Sequence, residues 1–149
     1  MREIIINVII RRTAELLILS ICISGLITGL YVLELFESTQ KACMISSCIG
    51  MAVFIIINVS MLRTCYFELG NKPVYYGANY TAYFIFMLIS AGVYILGGDG
   101  VYTWGFVITK AAKYWSVSMD TKTAAVIFHC IMGVVIALAP AGMKRVLKV

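Results

Sequence analysis

Within the long apolar stretches of this chain, Asn58 and His129 stand out as side chains whose groups chemistry can use. An imidazole can ligate haem iron axially or change its charge near neutral pH. A buried amide can bond a solute or a neighbouring helix. His129 is the one histidine present, so a bis-histidine haem site would require a second copy of the chain. Both residues are read as making interhelical hydrogen bonds. The alternatives are haem ligation or a charge switch for His129 and a pathway contact for Asn58, with Ser60 placed to share the bonding. Glu15 and Glu34 fall at the two ends of the first apolar stretch, where both are expected to reach water.

The five cysteines, Cys22, Cys43, Cys48, Cys65 and Cys130, lack the two-residue spacing of a thiol-disulfide centre, and their odd number argues against a complete disulfide framework. A Cys48–Cys130 bridge would join comparable depths, but buried cysteine ordinarily serves as a small apolar residue. Scattered thiols and a single imidazole have no metal-ligand spacing. Neither a metal nor a cofactor is therefore expected. A Gly-rich phosphate loop, a Gly-x-Ser-x-Gly elbow and a His-Glu-x-x-His pair are all missing. The membrane-embedded glutathione and eicosanoid enzymes have this size, but their Arg-x-x-x-Asn-x-x-Glu pattern is not here. Small multidrug transporters carry a glutamate inside the first helix, whereas Glu15 sits at its edge. The expectation is a non-enzymatic protein.

The elements that must position these groups are four apolar stretches of about 20 residues, each long enough to cross the roughly 30 Å core of a bilayer as a helix. They cover 14–33, 43–62, 78–96 and 123–142. Composition agrees: 62% of residues are hydrophobic, 13% are charged, and mean hydropathy is +0.96, far from a water-soluble domain. The predicted fold is an all-α integral membrane protein, a single four-span bundle occupying 1–149. Arg2, Arg11, Arg12, Arg63, Lys72, Lys144, Arg145 and Lys148 fall on the side shared by both termini, against Lys41, Lys110, Lys113 and Lys122 opposite. That excess places both termini in the cytoplasm. The net charge of +5 is then topogenic and attracts anionic headgroups, with the bilayer rather than nucleic acid as partner. Compact loops suit a multi-pass protein of a cell membrane of the bacterial cytoplasmic kind.

The N-terminal segment has Ile4, Ile5, Ile6, Val8, Ile9 and Ile10 interrupted by Asn7 and closed by Arg11 and Arg12, without a small-residue cleavage site. It is expected to be retained, lying along the inner headgroups or extending the first helix, with the arginines marking the interface. Gly97, Gly98, Asp99 and Gly100 break the chain after the third span. A helical pattern over about 101–115 follows, with Trp104, Val107, Ile108, Ala111 and Trp115 on one face. Tyr102, Trp104, Tyr114 and Trp115 suit anchors of an amphipathic helix lying in the outer interface; the rival reading is a short re-entrant helix dipping into the bundle. Tyr66, Phe67, Tyr75, Tyr76 and Tyr80, around the turn Gly70-Asn71-Lys72-Pro73, read as an inner aromatic belt.

Small residues one turn apart mark close helix packing in lipid. Gly25 and Gly29 form one such stripe, and Gly133, Ala137 and Ala141 another. Contact within one chain, and contact with a second copy or other membrane subunits, are both compatible with them. The function expected is an accessory, assembly or regulatory subunit of a membrane complex; the alternatives are a component of an oligomeric small transporter or channel, with Asn58, Tyr83, Tyr94 or His129 facing its interior, and a haem-bearing or redox subunit.

Overall fold

A computed structural model describes residues 1–32, 40–97, 104, 108, 109, 112 and 117–141. Every regular element among them is helical: α1 (Arg2–Val32), α2 (Gln40–Leu69), α3 (Lys72–Gly97) and α4 (Thr121–Leu138). α2, over Ile45–Leu69, is the one described helix long and apolar enough by length and composition to cross a membrane; α4 is apolar but shorter.

The N-terminal segment belongs to α1 without interruption. No proline or glycine precedes Gly25 in it, and Val8 is buried beside Cys65 and Ala78, so this end is held by packing on α2 and α3. The second connector is far shorter than the spacing of apolar stretches implies. α2 runs on to Leu69 and α3 begins at Lys72. Gly70 makes the turn with a φ of 61°, a conformation only glycine adopts freely. Its N–H donates to the Tyr66 carbonyl at 3.0 Å. Pro73 follows in the first helical turn, where no backbone donor is missed. α4 starts at Asp120, whose carboxylate accepts the Thr123 N–H at 3.1 Å, an N-cap. The bonds from Thr123 hold that exposed carboxyl below its usual range.

α1 packs on α2 and α3, and α4 packs on the same two, while α1 and α4 are not neighbours among the described residues. The core-facing side chains of α1 recur every four residues, Val8, Arg12, Leu16, Ser20, Ser24 and Thr28, all buried. Four residues are about 400° of helix, so this stripe slants by about 40° per step. Phe128, Met132 and Ile136 form the equivalent row on α4, facing Phe54, Leu62, Tyr75, Tyr83 and Phe86 in one core. Ile18, Ile21 and Leu26 on α1, Ile49 and Ile56 on α2, Phe84, Leu88 and Val93 on α3, and Val126, Val134 and Leu138 on α4 are exposed.

Candidate functional site

The densest polar chemistry lies where α1, α2 and α3 meet. Arg12 is only 3% exposed, and each nitrogen of its guanidinium has its own acceptor. Nε donates to Asn79 Oδ1 at 3.3 Å, one terminal nitrogen to Glu15 Oε2 at 2.6 Å, and the other to Asn58 Oδ1 at 3.1 Å. The two amides are themselves fixed from behind. Asn58 Nδ2 donates to the Phe54 carbonyl, and Asn79 Nδ2 to the Tyr75 carbonyl and, at 3.6 Å, to Cys65 Sγ. Both oxygens are thereby aimed at the cation. Glu15 also lies 3.6 Å from Arg11, which forms a two-pronged pair with Glu68 at 2.6 and 3.2 Å. This bond to Glu68 raises the Arg11 pKa above its usual value. The result is an alternating chain, Glu68, Arg11, Glu15, Arg12, ending on two buried amides.

Arg12 therefore does not mark an interface with water. Its i, i+3 spacing to Glu15 was a legible signal for an ion pair on one helix face, but nothing local announces that this face turns inward. Asn58 does make an interhelical bond, to α1. Asn79, absent from the residues that sequence singles out, carries equal weight.

A second cluster joins α3 to α4. Tyr83 and His129 share a 2.7 Å hydrogen bond through the phenol oxygen and Nδ1. Further along the same pair of helices Tyr80 donates to the Gly133 carbonyl at 3.2 Å, Tyr75 to Ile136 at 3.1 Å and Tyr76 to Ala137 at 3.4 Å. Pro140 explains the last two. The carbonyl of Ile136 would ordinarily accept the N–H of residue 140, which proline lacks. Ala141, the ordinary donor for Ala137, bonds Leu138 instead. Tyrosine hydroxyls of α3 thus cap the end of α4 from outside. Tyr75 is fully buried, and burial pushes its phenol above the usual pKa, keeping the donor proton in place. Tyr75, expected in an inner aromatic belt, is instead buried in the core, whereas the half-buried Tyr76 and the exposed Tyr80 turn only their hydroxyls to the neighbouring helix.

Trp104 requires a further correction. It is buried, its indole stacked on Phe128 at 5.4 Å and 15°, tilted against Phe54 at 4.7 Å, with Nε1 donating to Ser20 Oγ at 3.1 Å. A side chain enclosed by α1, α2 and α4 does not lie at an outer surface; it bridges α1 and α4, which are not neighbours among the described residues. Ile108 packs on the same core. Tyr102, Tyr114 and Trp115 lie outside the described residues, as do the ends of the segment.

The small-residue stripes also sit differently from a packing seam within the chain. A Cβ on Gly25, Gly29 or Gly133 would meet nothing within 4 Å, and Ala137 and Ala141 are exposed. The row of α1 that faces the core is Ser20, Ser24 and Thr28, and a step of one residue rotates Gly25 and Gly29 by about 100° away from it. The close approach between helices is at Gly50, where an added Cβ would run into Ile27 Cδ1 and stand 3.2 Å from Ile23 Cγ2.

Cys22, Cys48, Cys65 and Cys130 are free thiols. Among the described residues no group of three or more His, Cys, Asp or Glu is arranged to hold a metal ion. No family model matches this chain, and neither a curated protein nor a solved structure does.

Proposed function

We propose that the chain is a four-span membrane bundle with both termini cytoplasmic, acting as a non-enzymatic accessory, assembly or regulatory subunit through the outer faces of its helices. The observation that carries this reading is the outward position of Gly25 and Gly29 on α1 and of Gly133 and Ala137 on α4, among exposed apolar side chains. All four helices present apolar residues outward while Arg12, Asn58, Asn79 and Ser24 point inward. That distribution suits lipid as the solvent, where close backbone approach at small residues drives association. A second copy or another membrane subunit is the occupant that such a face fits.

The test is purification from the native membrane in mild detergent, with the mass and visible spectrum of the intact assembly recorded. The expected outcome is a complex larger than the 16.5 kDa chain that Gly25→Leu or Gly133→Leu breaks without altering the unfolding of the chain itself, because each added side chain enters open space. Intact complexes from both variants would count against the reading. A colourless homo-oligomer would favour the transporter or channel component instead. The haem alternative predicts a Soret band lost on His129→Ala.

A further inference from the structure

Four linked charges hold α1 to the α2–α3 hairpin, and only one of the carboxylates bonds the guanidinium that is buried. Arg12 has Glu15 as its one anionic partner among the described residues; Asn58 and Asn79 are neutral. Glu15 is also the member with a way out, its side chain 26% exposed against 3% for Arg12. A buried ion pair holds helices together no better than well-packed apolar side chains, yet removing one partner from it is strongly destabilising. Such a network makes attachment conditional on charge where an apolar contact would make it permanent.

We infer that α1 is a latch on the α2–α3 hairpin, closed while Glu15 is charged and released when that charge is removed. The charged and titratable groups around the latch are Arg11 on α1, Glu68 and Cys65 on α2, and Tyr75 on α3. Without the Glu15 charge, Arg12 is an uncompensated cation in the bundle. Arg11 keeps Glu68 as partner, so the outer pair does not replace what is lost. The inference is independent of which partner the helix faces engage.

Cys65 reports the state of the latch. It is fully buried beneath Val8 of α1 and beside Asn79, so a thiol reagent reaches it only when α1 lifts. In full-length chains with Cys22, Cys43, Cys48 and Cys130 replaced by Ala, labelling by a small maleimide is measured in native membranes, each rate normalised to the SDS-unfolded chain at the same pH. Glu15→Gln is expected to raise the rate roughly tenfold or more. The variant R12L/E15L/N58L/N79L, which removes both charges together with the two buried amides that Arg12 satisfies, should label more slowly than E15Q. A parent rate for E15Q overturns the inference, as does a quadruple variant that labels as fast as E15Q. Should E15Q fail to accumulate, Glu15→Ala supplies the same contrast: it must label faster than the quadruple variant, and equal rates overturn the latch.

Discussion

α1 and α4 are fastened to the same two helices by opposite means. Beyond its apolar packing, α1 is held through charge, by a guanidinium that bonds a carboxylate and two amides. α4 is held through neutral donors, tyrosine hydroxyls of α3 that reach its backbone carbonyls and His129. Among the described residues the α3–α4 seam carries no ion pair, and His129 is the group in it that can change charge near neutral pH.

The comparison breaks most visibly at the amides. Replacing both Asn58 and Asn79 by Leu strips two charge-assisted bonds from Arg12 and is expected to destabilise the bundle by roughly 3 kcal/mol, measured by loss of helicity across an SDS titration in mixed micelles. Asn58→Leu alone should already weaken α1 docking, so lost flux in that variant would not by itself identify a transport pathway. On the other seam, Tyr75→Phe leaves the Ile136 carbonyl without a donor in a buried setting, at about 1–3 kcal/mol. Combining it with Pro140→Ala, which restores a backbone N–H, should recover much of that loss; an unchanged deficit would show that the hydroxyl does not serve the carbonyl.

Smaller effects sharpen the picture. Glu68→Gln breaks only the half-exposed Arg11 pair, and less than about 1 kcal/mol is expected in the same titration, against a much larger loss for Glu15→Gln. The smallest effect is at the α4 N-cap. Hydrogen bonds hold the Asp120 carboxyl below its unfolded value, so its contribution is present above the unfolded carboxylate range and disappears as pH falls through the folded value. The difference in stability between the parent and Asp120→Ala should therefore shrink on acidification, and a difference independent of pH would contradict the cap.

Much of the helical architecture was legible before any coordinate. Long apolar runs forecast a helix for each of α1 to α4, and Gly70-Asn71-Lys72-Pro73 forecast the turn that Gly70 makes. The site was legible only in fragments. Asn58 stood out because an amide is rare in an apolar run; Arg12 and Asn79 did not, because a cation near the end of such a run is ordinarily taken as its boundary. Trp104 was misplaced for a related reason, since tryptophan at headgroup depth is common and an indole buried between helices is recognisable only once Ser20, Phe54 and Phe128 are seen around it.

Composition and period settle local properties, because hydrogen bonding within a helix and the 3.6-residue repeat depend on near neighbours. That is why chain order suffices to make α1 helical and to put Ser20, Ser24 and Thr28 in a single row. Which row faces inward depends on residues far away in sequence. Gly25 and Gly29 satisfy the same four-residue rule as Ser24 and Thr28, one step around the helix, and only the positions of α2 and α3 choose between them. The same holds for Arg12, whose burial rests on two amides 46 and 67 residues distant arriving with their oxygens already oriented.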